Sequence, residues 1–121
     1  MAATPIFNLI VLRSPHIGRA VRFYEALGLD FDKHRHGNGP EHYASEHGGV
    51  VFEIYPLGSK HSSTTSTRIG FAVDDVDSVV EHLEEAGGQV VSPPTDSEWG
   101  RRAVIKDLDG HTVELVSTNL Q

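Results

Sequence analysis

The sequence predicts an α+β domain of two tandem βαβββ modules, their curved mixed sheets arranged around a cup. Three observations predict it. The segment LIVLRSPHIGRAVRFYEALG from Leu9 aligns without a gap on RIGFAVDDVDSVVEHLEEAG from Arg68, at a constant offset of 59 residues. GVVFEIY from Gly49 aligns on GHTVELV from Gly110 at an offset of 61, so the repeat runs to the end of each copy. Between the helix and this last strand each copy has room for two more strands, LDFDKHRH and EHYASEH in the first, QVVSP and RRAVIKD in the second.

Each copy opens with a short apolar strand and passes through a cap signal into a helix. In the first, Ser14 and Pro15 read as N-cap and first helical residue; in the second, Asp74 or Asp75 can cap. Apolar residues at 17, 20, 21, 24 and 27, and at 76, 79, 80, 83 and 86, recur at helical spacing and give each helix one face to bury. Gly28 and Gly87 supply the stops. The polar run GSKHSSTTST, residues 58 to 67, is the natural linker. The expected organisation is one domain over residues 1 to 121, with module one at 6 to 57 and module two at 68 to 117.

A chain of 121 residues supports one core rather than two. Ten Lys and Arg against 17 Asp and Glu give a net charge of −7, and no basic stripe follows a phosphate backbone, so nucleic acid is not an expected partner. The acidic balance suits solubility or a cationic ligand. The absence of Cys excludes disulfides, thiolate metal sites and cysteine nucleophiles. No run reaches membrane-spanning length, and the opening MAATPIFNLIVLRSP lacks a basic segment followed by an apolar core. A soluble, cytoplasmic protein with no membrane partner is expected. No Walker loop, G-x-G-x-x-G, H-E-x-x-H or G-x-S-x-G is present.

VVFEIYPL, residues 50 to 57, carries Glu53 inside an apolar strand, and HTVELVS, 111 to 117, carries Glu114 at the same position of the repeat. An unpaired buried carboxylate is costly, so both need a reason. If Val50, Phe52 and Ile54 pack under the helix, Val51, Glu53 and Tyr55 face the other side, as do Thr112, Glu114 and Val116. On the first strands Leu9, Val11 and Arg13 share one face and Arg68, Gly70 and Ala72 its counterpart. Two curved sheets meeting as a cup would gather these residues inside it.

RAVRFYEALGL, VFEIYPL, GFAVDDVDSVVEHLEEAGG and WGRRAVIKDLDGHTVELV, taken together, resemble the vicinal oxygen chelate superfamily of glyoxalase I, bleomycin resistance proteins and extradiol dioxygenases, from about Phe7 to Val116. The resemblance implies a glyoxalase/bleomycin resistance-like fold and a homodimer in which paired modules complete each cup. It places the metal-ligand positions of the family's metalloenzymes on Leu9, Glu53, Arg68 and Glu114. Leu offers no donor and a guanidinium repels a cation, so no catalytic metal is expected. Arg68 would instead pair with the glutamates, a fixed cation where relatives hold an ion. The alternative is a satisfied buried ion-pair cluster that holds no ligand.

The reading that follows is a bleomycin resistance-like small-molecule-binding protein, its ligand cationic or rich in hydrogen-bonding groups. Glu53, Arg68, Glu114, Tyr55, Trp99 and Tyr43 would line its cup. Trp99 belongs to a Trp-Gly-Arg stretch similar to one in bleomycin resistance proteins, and of Arg101 and Arg102 only one can reach the cavity. The alternative function is a lyase of the glyoxalase I (lactoylglutathione) type, with catalytic Glu53 or Glu114. It would depend on a divalent metal (Zn, Ni, Fe or Mn) or use Arg68 in the metal's place. His34 and His36 share a strand face, with His42 and His47 beyond the GNGP turn, and read as a solvated polar strand. His111 reads as a hairpin residue and His16 as a surface one.

Overall fold

The computed structural model describes residues 3 to 118. Its elements run β1 (Leu9–Ser14), α1 (Ile17–Leu27), β2 (Asp32–His34), β3 (His42–His47), β4 (Val50–Pro56), β5 (Arg68–Ala72), α2 (Val76–Glu85), β6 (Gln89–Ser97), β7 (Gly100–Lys106) and β8 (Thr112–Ser117). They form two four-stranded sheets of the same design, ordered β1-β4-β3-β2 and β5-β8-β7-β6. In each the first strand lies parallel to the last and the other pairings are antiparallel. The repeat in the sequence is thus a repeat of topology. Among the described residues no helix is long and apolar enough to cross a membrane.

Local chemistry sets the element ends. Asp75 caps α2 as expected, its carboxylate accepting the Ser78 N–H at 3.1 Å. At α1 the expected cap is displaced: the cap position is His16, without a side-chain bond. Ser14 is the last residue of β1, and its hydroxyl accepts the His16 N–H at 3.0 Å to turn the chain toward the helix. Strand β2 is shorter than LDFDKHRH suggested, and β6 is longer than QVVSP. Pro93 and Pro94 donate no ladder bond, and register shifts fall around them; β6 tolerates this because it is an edge strand.

The helices bury the faces their spacing predicts. Ala20, Val21, Phe23, Tyr24 and Leu27 of α1 and Val76, Val80 and Leu83 of α2 pack on Phe52, Ile54, Ile105, Val113 and Leu115 in one core. Aromatic rings carry that core across the modules: Tyr24 meets Phe52 edge-on at 4.9 Å, and Phe52 lies 6.1 Å from Phe71. Gly88 lets α2 come close, since a Cβ there would stand 2.7 Å from the Phe23 ring and 2.9 Å from the Leu83 carbonyl.

A buried polar chain bolts the modules together. The turn DLDGH, 107 to 111, folds around Asp107, whose Oδ1 accepts the N–H groups of Asp109 (3.0 Å) and His111 (2.9 Å). Its Oδ2 accepts the Tyr24 hydroxyl at 2.6 Å and lies 2.8 Å from His111 Nδ1. His111 Nε2 in turn lies 2.6 Å from the hydroxyl of Thr64, which accepts the Arg13 N–H at 3.0 Å. A proton on His111 Nδ1 gives every bond of the chain a donor. Module one, linker and module two are tied by one connected set of bonds. Burial raises the Asp107 carboxyl, but the bonds from His111 and Tyr24 outweigh it and hold it below the usual carboxylate value. Burial and the Asp107 charge push the Tyr24 phenol up.

Candidate functional site

The register puts equivalent residues at equivalent places on the helix-free faces of the two sheets. In module two Gly70 lies beside Glu114 and Glu114 beside Val104, with Ala72, Val116 and Arg102 in the adjacent row. In module one Val11 lies beside Glu53 and Glu53 beside Ala44, with Arg13 and Tyr55 in the adjacent row and His42 next to them on β3. Alternation therefore points both glutamates away from the helices, as expected.

Their partners differ. Glu114 accepts Arg68 through two bonds, Nε to Oε2 and Nη2 to Oε1, both at 2.9 Å, and Arg102 Nη2 also contacts Oε1. The Arg68 bond, aided by Arg102 and only partly opposed by desolvation, holds the Glu114 carboxyl below its ordinary value. Arg101 turns to the opposite face, where it bonds Asp77 and Asp96, so Arg102 is the arginine that reaches the open face. Beside the Arg68–Glu114–Arg102 cluster lies a cleft of about 640 Å³, lined by Gly70, Ala72, Trp99, Arg102, Glu114 and Val116 among others. Trp99 stands at its edge, 67 % exposed. The tip of this hairpin needs Gly100, whose φ is +119° and where a Cβ would come within 2.2 Å of the Ser117 carbonyl oxygen.

In module one Glu53 lies 3.6 Å from His42 Nε2. His42 is 1 % exposed and stacks on Tyr55 with ring centroids 4.1 Å apart and planes 7° from parallel. The Tyr55 hydroxyl reaches His42 Nε2 at 3.3 Å, and the Arg13 guanidinium lies 5.2 Å from the Tyr55 ring centroid. His34 and His36 continue the row, 5.9 and 5.2 Å from His42. His34 and His36 are exposed, as a solvated strand requires; His42 is a buried packing residue that the sequence reading left on the polar side.

The expected cluster of Glu53, Arg68 and Glu114 is divided. No hydrogen bond or ion pair among the described residues joins Glu53 to Arg68 or Glu114. Each glutamate belongs to the sheet of its own module, and the modules meet through α1 against α2 and the aromatic core. Tyr43 lies opposite Ile54 in the antiparallel pair and packs against the core, on the helix side of the sheet and away from Glu53 and Tyr55.

The four positions to which the resemblance assigns a metal do not fit a divalent ion. Leu9 has no donor, Arg68 is a cation, and both Glu114 oxygens already accept from guanidinium groups. Asp107, Asp109 and His111 bring ligand atoms within 4.8 Å of one another. They do not fit one either, because Asp107 and His111 are committed to the intermodule bolt and Arg19 lies 3.7 Å from Asp109.

The comparisons with known proteins agree with this geometry. The profile of the Glyoxalase/Bleomycin resistance protein/Dioxygenase superfamily matches residues 6–115, and the chain belongs to that superfamily. A relative in Mycobacterium bovis, provisionally named glyoxylase CFP32, is 32 % identical over 118 residues, 93 % of this chain. The match spans 45 % of that relative's length. Two solved structures share the fold. A glyoxalase-related enzyme from Fulvimarina pelagi superposes with a TM-score of 0.76 at 21 % identity, covering 95 % of this chain and 89 % of its own. TnmS3, an antibiotic binding protein from Streptomyces, superposes with a TM-score of 0.73 at 24 % identity, covering 97 % and 98 %.

Proposed function

We propose that this protein is a small-molecule-binding member of the superfamily, similar to bleomycin resistance proteins, that holds its ligand against the module-two sheet without a catalytic metal. The observation that carries the reading is the open cleft in which Glu114 is held by Arg68 and Arg102 where a metalloenzyme would present a bare carboxylate. Trp99 stacks on the ligand at the edge of the cleft. A second copy of the chain, in a homodimer, completes the cup with its module-one face, bringing Glu53 and Tyr55 to the ligand. The chain acts as one domain, modules 6 to 57 and 68 to 117 joined by the linker 58 to 67. TnmS3, described as an antibiotic binding protein, supports the binding role.

Two measurements test it together: elemental analysis of the purified protein, and fluorescence of Trp99, the chain's one tryptophan, against a panel of aromatic drugs and cationic glycopeptides. The reading predicts no stoichiometric metal and saturable quenching. Stoichiometric nickel or zinc, with metal-dependent turnover of methylglyoxal and glutathione, would overturn it in favour of a glyoxalase I-type lyase. One observation favours a metal-free version of that second reading: Glu53, unlike Glu114, is paired with no guanidinium among the described residues and lies 3.6 Å from His42, a pair able to transfer a proton. Metal-independent turnover that Glu53→Gln abolishes is its signature.

A further inference from the structure

We infer that the module-two cleft selects a flat aromatic ligand carrying an anionic group such as a carboxylate. The inference rests on the small-molecule-binding reading above and reverses the cationic preference expected from the overall charge. Within one chain the balance at the cleft is positive: among the described residues Arg68 and Arg102 pair with Glu114 alone, in a chain whose net charge is −7. The hydrogen-bond inventory points the same way. Arg68 spends Nε and Nη2 on Glu114 and Arg102 spends Nη2, which leaves Nη1 of both and Nε of Arg102 as donors without an acceptor among the described residues. Both Glu114 oxygens already accept from these guanidiniums, and the bonds keep the carboxylate ionised and in place as a strut. An incoming carboxylate meets guanidinium edges of the fork geometry that matches it, while an incoming ammonium meets two fixed cations.

The shape of the floor selects flatness. Gly70 and Ala72 line the cleft, on the face where module one carries Val11 and Arg13. Gly70 is not needed for the backbone: its φ lies outside the left-handed region, and an added Cβ would meet nothing closer than the Glu114 Cβ and carbonyl oxygen at 4.0 Å. A strand-interior glycine weakens a strand and often marks a close approach by a ligand. Here it leaves bare backbone in the cleft that Trp99 and Arg102 also line, a slot for a planar ring.

The test is isothermal titration of the full chain, in low salt, with naphthalene-2-carboxylate, naphthalene-2-carboxamide and 2-(aminomethyl)naphthalene. The carboxylate is expected to bind about tenfold more tightly than the amide, with the amine weakest. Arg102→Gln should collapse the carboxylate's advantage over the amide, and Gly70→Val should remove binding of all three without loss of thermal stability. Equal affinity for the three, or tightest binding of the amine, overturns the charge preference while leaving the binding reading intact. Binding by none of them also overturns this inference. The binding reading itself falls if the drug panel too leaves Trp99 unquenched.

Discussion

The same sheet position is filled in one module and hollow in the other. Position for position, Leu9, Val11 and Arg13 of module one answer to Arg68, Gly70 and Ala72 of module two, and Tyr55 and His42 answer to Val116 and Arg102. In module one the large side chains satisfy each other: Arg13 over Tyr55, Tyr55 on His42, His42 against Glu53. In module two the small ones leave a cleft, and the two arginines converge on Glu114. Duplication kept the backbone and the glutamate; the neighbours decided whether that glutamate lies against a histidine or between guanidiniums.

The hairpins leading into the last strands show the contrast most sharply. In module two Asp107 is 6 % exposed and holds the intermodule bolt, whereas its counterpart by strand register, His47, is exposed. Asp107→Ala should therefore cost about 3 kcal/mol, since it strands a buried tyrosine hydroxyl and an imidazole. His47→Ala should leave the denaturation midpoint unchanged. Equal midpoints for the two variants would break the comparison.

The pH dependence follows from the same group. Asp107 is held below its unfolded value, so its contribution is complete above about pH 4, the ordinary carboxylate value, and is lost as pH falls through the lower folded value. Acid titration of stability should be shallower in Asp107→Asn than in the wild type. An identical acid profile would remove Asp107 from the account of stability.

A smaller effect separates His42 from Arg102. His42→Ala removes a buried stack and should cost about 1 kcal/mol, measured by denaturant unfolding. Arg102→Gln, on the more open face, should leave stability near wild type and act on ligand binding. A reversed pattern would mean that module one, not module two, presents the working face.

Most of the fold was legible because the repeat forced it. Glycines at 28 and 87, helical spacing and the alternation around Glu53 and Glu114 each appeared twice, and each copy checked the other. The site was legible in part. Arg68 on Glu114 could be read from the repeat, but the choice between Arg101 and Arg102 depended on where β7 begins, which a one-residue shift reverses. The strand EHYASEH hid its register for another reason. Both of its alternating sets, His42, Ala44, Glu46 and Tyr43, Ser45, His47, mix polar with apolar residues, so nothing told Tyr43 inward or His42 into a stack. The bolt was missed because Tyr24 counted only as an apolar helix position and His111 only as a turn residue. The DLDGH turn and the Ser/Thr-rich linker were the available signals.

Titration of wild-type and Gly70→Val protein with aromatic ligands, followed by Trp99 fluorescence, tests the central claim most directly. The account predicts saturable quenching in the wild type that disappears in the variant at unchanged melting temperature, because the backbone leaves room for a Cβ at Gly70 and the valine methyls then take up cleft space. Quenching that survives Gly70→Val undiminished, or none in the wild type, would contradict it.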